Sequence, residues 1–478
     1  MSAADLAAVL PIVVLAAAAV AVMLAAAIHR SHGLALWMTL ASLVLAGASL
    51  PLAASEQPRR VATLLTVDGY SLFFTGLILA ATFAVAVLSY AYFSRRPGNH
   101  EELYLMLLLA ALGAVVLTGS RHFASLFLGL EILSASLYVL VAFPRGRRNI
   151  EAAVKYLILA AVSAALLLFG MALVYADLGS MDFDRIAAAS APAGTGDLLL
   201  AAGLVLLFAG LAFKLALVPL HMWTPDVYQG APPPVAAFIA TVSKAAVFAL
   251  LLRFFHPLAI QSHANLYVAF ATVAVASMFA GNFLALLQND VKRLLAYSSI
   301  AQLGYLLVAF LAGGPLAVTA VSFFLVAYTA TMLGAFGIVT LMSERREAGS
   351  LENYSGLFWR RPWLAAVMAA MMFSLAGIPL TAGFIGKFYV LDAGVGSSLW
   401  LLSASLVASS AIGLYYYLRV IVVMYRRPLA AGGHSRTRPP LRPLAGGLVL
   451  ALVLLIVLWL GVYPGPLIEI IQKTAILN

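Results

Sequence analysis

Fourteen stretches of this chain are apolar and long enough to cross a lipid bilayer, and the connections between them are short. They run approximately over residues 6–28, 34–53, 70–93, 104–120, 123–143, 150–176, 198–228, 233–255, 266–287, 293–312, 316–342, 362–394, 398–424 and 446–463. A helix needs about 20 mostly apolar residues to span a hydrocarbon core about 30 Å thick, at about 1.5 Å per residue. The expected fold is therefore an all-α polytopic membrane protein of about 14 transmembrane helices, with a single membrane domain over residues 1–478. Composition agrees: 64% of residues are hydrophobic, 10% are charged, and the mean hydropathy is +1.03. No soluble globular class has these values. The segment before the first span, Met1–Asp5, carries an acid and no base. That is the reverse of a secretory leader, so the first span is expected to be an uncleaved helix.

A net charge of +10 over 478 residues raises the question of an anionic partner such as nucleic acid. Position answers it. With the N-terminus outside, 17 of the 28 Lys and Arg residues fall on the cytoplasmic side, among them Arg30, Arg145, Arg147, Arg148, Arg345, Arg346, Arg436, Arg438 and Arg442. Six, including Arg253, fall on the other side, and five lie within spans. That is a positive-inside bias, which places both termini on the periplasmic side of a bacterial inner membrane. No nucleic-acid role is expected.

There is no cysteine, which excludes disulfides, cysteine-ligated iron–sulfur clusters and thiolate zinc sites. Of eight histidines only His221 lies well inside a span, and no Gly-rich phosphate loop is present. The expectation is that this chain holds no cofactor and no metal.

Two pairs of segments resemble each other across the chain. Tyr138-Val-Leu-Val-Ala-Phe143 in the fifth span parallels Tyr305-Leu-Leu-Val-Ala-Phe310 in the tenth. Val218-Pro219-Leu220 in the seventh parallels Ile378-Pro379-Leu380 in the twelfth. Each pair is five spans apart, and an odd number of crossings reverses direction in the membrane. The pattern predicts two inverted five-helix repeats, 104–255 (helices 4–8) and 266–424 (helices 9–13). Helices 1–3 precede them within 1–100, and helix 14 with a tail follows at 446–478. The seventh and twelfth spans are overlong and contain Pro219 and Gly377 with Pro379, so both are expected to be broken. Transporters with inverted repeats place their ion sites at such breaks.

Ionisable side chains at bilayer depth cost roughly 2.5–3.5 kcal/mol each on insertion scales and usually line an ion or proton path. Lys214, Lys244, Lys387 and Glu131 are of this kind. Glu131 is the one carboxylate near a span centre and is expected to pair with Lys214. A lysine whose proton affinity responds to burial and to a neighbouring carboxylate is a usable proton site. The alternative is a static buried pair, which leaves two lysines unexplained. Further candidate relay residues are His221, two turns beyond Lys214, and Lys155, four residues after Glu151. Gln302, Tyr297 and Tyr328, with Ser298 and Ser299, are candidates to hold water between the halves. Asp226 is expected to cap backbone at a helix end.

At this point the residues resemble a family. Pro219-Leu-His-Met-Trp-Thr-Pro-Asp-Val-Tyr-Gln-Gly-Ala-Pro-Pro-Pro-Val235, continuing to Thr241-Val-Ser-Lys244, resembles the signature of the antiporter-like subunits of respiratory complex I, the proton-pumping NADH–quinone oxidoreductase. Asp290-Val-Lys-Arg-Leu-Leu-Ala-Tyr-Ser-Ser299 and Ala376-Gly-Ile-Pro-Leu-Thr-Ala-Gly-Phe-Ile-Gly-Lys387 fit the same pattern. The order of motifs, the fourteen spans and the lack of a long C-terminal extension are similar to the subunit N branch. The resemblance covers about residues 60–425.

It implies that Glu131 pairs with Lys214, that Lys244 joins two half-channels, and that Lys387 serves the exit side. It also implies that the chain works beside other membrane-arm subunits, including neighbouring antiporter-like ones, with FMN, iron–sulfur clusters and quinone held elsewhere in the complex. Many relatives carry histidine where this chain has Gln302, so that step would need water here. The alternatives are a subunit of a multisubunit Na+/H+ antiporter, a subunit of a ferredoxin-type quinone-reducing complex, and a passive structural subunit.

Overall fold

The computed structural model describes residues 2–190, 198–258, 260–343, 349–427 and 444–474. Arg345, Arg346, Arg436, Arg438 and Arg442 of the charge argument lie outside the described residues. The membrane helices, numbered as the spans, are α1 Leu10–Ile28, α2 His32–Ala48, α3 Gly69–Phe93, α4 Glu101–Gly119, α5 Phe123–Ala142 and α6 Arg147–Leu178. There follow α7a Leu198–Leu215, α7b Trp223–Gly230, α8 Pro233–Phe255, α9 Ala264–Leu286, α10 Val291–Ala312 and α11 Gly314–Met342. The last are α12a Pro362–Ala376, α12b Ala382–Gly396, α13 Trp400–Tyr425 and α14 Leu444–Val462, with a terminal α15 Gly465–Thr474. Among the described residues the one departure from an all-α fold is a small antiparallel hairpin, Arg59–Val61 with Leu65–Val67, in the α2–α3 connection.

Among the described residues thirteen helices are long and apolar enough to cross a membrane, and the twelfth span is the exception. It is two 15-residue pieces, α12a and α12b. Each is about 22 Å long, too short to cross alone. Gly377 ends α12a in the left-handed region at φ +83°, where a residue with a Cβ is strained. The seventh span stops at Leu215 and resumes at Trp223. Between them Ala216 takes φ +61° and Pro219 offers no backbone donor. The Val218 N–H, turned away from the helix, donates instead to Ser277 Oγ of α9 at 2.9 Å.

A further irregularity carries no marker in the sequence. Within α8, Ile239–Ser243 is one π turn that ends directly at Lys244. Such turns hold an extra residue and recur at functional sites.

The helices sort by depth in the bundle. The spanning part of α8 is entirely buried, and α10 and α11 are nearly so. By contrast α1, α2, α6 and α14 have only about a third of theirs buried, and the rest is the expected face for lipid or partners. Lipid supplies no hydrophobic drive between helices, so close packing holds them together. Gly170 of α6 and Gly203 of α7a show how close: a Cβ on Gly170 would lie 2.8 Å from the Gly203 carbonyl.

Arg253, counted on the non-cytoplasmic side, is buried in the last turn of α8. It donates to Asp68 at 2.8 and 2.9 Å and to the Thr118 carbonyl at 2.9 Å. Asp68 also caps α3 through the Ser71 N–H. One ion pair thus ties α3, α4 and α8 at the membrane edge.

Candidate functional site: lysines at two helix breaks

In the first half, α5 carries Glu131 and Ser134, one turn apart and so on one face. Lys214 leaves the last turn of α7a level with Ser134, and its Nζ donates to Ser134 Oγ at 2.7 Å. The expected direct pair of Glu131 with Lys214 is not formed. Glu131 is half-buried and its Oε1 accepts no hydrogen bond, although its charge reaches Lys214. A serine hydroxyl stands where an ion contact was expected, because the lysine meets the α5 face one turn away from the acid.

The break after Lys214 frees backbone carbonyls that must be paired in an apolar interior. Lys244 Nζ donates to the Lys214 carbonyl at 2.9 Å. Trp223 Nε1 donates to the Phe213 carbonyl at 2.9 Å. The Trp223 ring also faces the Lys244 ammonium, 4.9 Å from its centre, and stacks on Tyr156 of α6 at 4.6 Å and 12°. Lys244 is fully buried. Its charge is met by a carbonyl dipole and an indole face rather than by a counter-ion.

The second half repeats the device. Lys387 of α12b donates to the carbonyls of Leu375 and Ala376, the last two residues of α12a, at 2.8 and 3.0 Å. A third bond goes to Ser410 Oγ of α13 at 2.9 Å, and the Tyr305 ring lies 5.1 Å from the ammonium. Gly377 is required beside it, since a Cβ there would lie 2.9 Å from Lys387 Cδ. Gln302 Nε2 shares the Leu375 carbonyl at 2.9 Å and lies 3.3 Å from Tyr417 Oη, which is bonded to Ser298 Oγ at 2.5 Å. Tyr328 donates to Ser299 Oγ at 2.7 Å. Gln302, Tyr328, Thr331 and Ser374 line a cavity of about 10 Å³, roughly one water position.

Pro219, Gly377 and Pro379 thus lie in the two breaks, and each break has a lysine on its freed carbonyls. Other candidates sit apart. The His221 ring faces the Pro219 carbonyl, and its Nδ1 is buried without a partner. It bonds none of the three lysines. Tyr297 is half-buried on α10 and joins none of these contacts. Lys155 bonds Glu151 at 2.9 Å, as the spacing predicts, and also Asp226 at 3.1 Å. Asp226 caps no helix; it is held by Lys155 and, at 2.7 Å, by Arg293 of α10. A carboxylate flanked by two cations is drawn to them rather than to backbone.

Sequence reasoning did not single out Ser134, Trp223, Tyr305, Ser410 or Tyr417. Trp223 alone had a signal, as an indole next to a helix break. Among the described residues no group of three His, Asp or Glu side chains is placed to hold a metal ion. The chemistry available is proton transfer: amines that can gain or lose a proton, hydroxyls that both donate and accept, and room for water.

The profile of the family described as "NADH:quinone oxidoreductase/Mrp antiporter, TM" matches residues 120–413. A protein of Nitrosospira multiformis named NADH-quinone oxidoreductase subunit N is 52% identical, covering 98% of this chain and 96% of its own length. One of the same name from Methylococcus capsulatus is 50% identical over 97% of this chain and 94% of its own. Among solved structures, a chain of respiratory complex I from Thermus thermophilus with bound aureothin is 35% identical, with a TM-score of 0.82 over 96% of this chain and 98% of that one. A chain of the Mrp complex from Dietzia sp. shares the fold alone, at 20% identity and a TM-score of 0.85 over 99% of this chain and 97% of that one. With its two lysine-bearing breaks and these likenesses along nearly its whole length, the chain belongs to the antiporter-like membrane subunits of NADH–quinone oxidoreductase, in the subunit N branch.

Proposed function

We propose that protons cross this subunit through Glu131, Lys214, Lys244 and Lys387, driven by quinone reduction elsewhere in the complex. Helices α4 to α8 and α9 to α13 act as two inverted half-channels, and the Lys244 ammonium is the junction between them. Tyr328, Gln302 and a water between them carry the step toward Lys387. His221 and Lys155 serve the approach from the basic side, which is cytoplasmic, with both termini periplasmic in a bacterial inner membrane. Tyr297 has the weakest case of the candidates. The subunit contributes no redox centre; FMN, iron–sulfur clusters and quinone are held by its partners.

The observation that carries the reading is the repeated pairing of a break with a lysine. A structural lysine would be satisfied by a counter-ion. Both Lys244 and Lys387 are instead held by neutral dipoles, which tolerate loss of the proton far better than a carboxylate partner would. The test is Lys244→Ala in membrane vesicles, with NADH-driven quinone reduction and proton uptake recorded together once assembly is verified. Both should fall while electron transfer to an artificial acceptor in the soluble arm persists. Normal assembly, turnover and pumping would remove Lys244 from the path.

A further inference from the structure

The helix α7b is only eight residues long, is cut off from α7a by the break, and ends at Gly230. A helix so short has no stability of its own and stands where its contacts hold it. Its apolar side presents Trp223, which reaches the Phe213 carbonyl and covers Lys244. One turn on, Asp226 is gripped from two directions. Lys155 of α6 lies at 3.1 Å from Oδ2, and Arg293 of α10 at 2.7 Å from Oδ1. The next turn repeats the grip: Gln229 accepts from Arg293 at 3.2 Å and donates to Asp290, the cap of α10, at 3.2 Å.

The two sides of α6 facing α7b are consecutive residues. Lys155 holds Asp226 while Tyr156 stacks on Trp223. The polar clamp and the aromatic seat are therefore carried by one turn of α6.

We propose that Asp226 is a positioning residue for the central lysine: its carboxylate, shared by Lys155 of the first half and Arg293 of the second, seats α7b so that Trp223 covers Lys244 and closes the carbonyl beside Lys214. The proposal rests on Lys244 being in the proton path. Each ion pair alone is weak at this partial exposure. Their effect comes from where they act, on a short segment whose displacement by about 1 Å uncovers a buried ammonium. The charged groups acting on Asp226 are Lys155 from α6 and Arg293 from α10, with Glu151 beyond them on Lys155 and Asp290, the cap of α10, on Gln229. Lys244 meets Trp223 and the backbone of Lys214.

The experiment is the pH profile of NADH-driven quinone reduction in the assembled complex, for Asp226→Asn, Asp226→Glu and Trp223→Phe beside the parent. With the clamp released, protonated Lys244 loses its cover. Coupled turnover of Asp226→Asn should fall roughly tenfold, and its alkaline limb should move about one pH unit lower. Asp226→Glu, which keeps the carboxylate, should restore both, whereas a merely structural loss would lower turnover without moving the limb. Trp223→Phe should reproduce the shift with the clamp intact, and it decides the matter if Asp226→Asn does not assemble. An assembled Asp226→Asn complex with the parental profile overturns the proposal, as does a parental profile for Trp223→Phe. If Lys244→Ala is itself without effect, the underlying proton-path reading has failed; if Lys244→Ala is damaging and Asp226→Asn is not, the positioning role alone has failed.

Discussion

At the scale of single residues, this proton-translocating subunit buries three lysines, and among the described residues none of them has a direct ion pair. Lys214 rests on a hydroxyl, Lys244 on a carbonyl and an indole face, and Lys387 on two carbonyls and a hydroxyl. The lysines and Glu131 were legible in the sequence because an ionisable group in an apolar run has few bland explanations. Ser134 was not. Membrane helices are full of hydroxyls that bond their own backbone, and Ser134 does so too, at 2.6 Å to the Leu130 carbonyl. Only the fold shows that its oxygen also accepts from Lys214. Replacing Ser134 with Ala leaves the ammonium without that acceptor, a loss of about 1.5–3 kcal/mol. We expect quinone-coupled turnover to drop at least several-fold while electron entry into the soluble arm is unchanged; parental coupled turnover in assembled complex would show that the hydroxyl is dispensable.

At the scale of elements, the two breaks do the main work, and proline and glycine announced both. Pro219 and Pro379 cannot continue a helix ladder, and Gly377 alone fits the left-handed turn against Lys387. Gly377→Ala should cost roughly 1–2 kcal/mol from backbone strain and push the Lys387 side chain off its carbonyls. Coupled activity per assembled complex should then fall further than the amount of complex does, as immunoblots of membranes alongside turnover would measure. Equal losses would mean that the glycine matters only for folding. The π turn before Lys244 was illegible for a plain reason. Ile239-Ala-Thr-Val-Ser243 contains neither proline nor glycine, and the turn lies where α8 is packed on all sides. The direct contact of Lys214, with Ser134 rather than Glu131, was illegible for a related reason, since helix rotation and register between α5 and α7a are set by tertiary contacts.

At the scale of the whole molecule, the number and order of spans were readable from hydropathy, but their depth in the bundle was not. Helices α8 and α14 are similarly apolar along their length, yet one is wholly enclosed and the other has only about a third of its residues buried. Holding the interior together at one membrane edge is the Asp68–Arg253 pair. Burial alone would raise the Asp68 carboxyl, but the Arg253 guanidinium outweighs it and holds the group below its ordinary value of 3.8. Its contribution is therefore complete above the unfolded value and is lost as pH falls through the lower folded one. Asp68→Asn should lower stability by about 3–5 kcal/mol at neutral pH, read as an earlier thermal transition of the purified complex, with parent and variant converging only in strong acid. An unchanged transition would show that the pair is not needed for stability.

The enclosure of α8, α10 and α11 has a further bearing on how the subunit meets its bilayer. A change in acyl-chain length is felt by helices that touch lipid, through tilt and local thinning. The outer helices α1, α2, α6 and α14 must absorb that mismatch, while the lysine-bearing α8 is surrounded by protein on every side. The surroundings of Lys244 are thereby insulated from bilayer thickness, and lipid composition acts on how firmly the shell holds together rather than on the spacing of the side chains packed around α8.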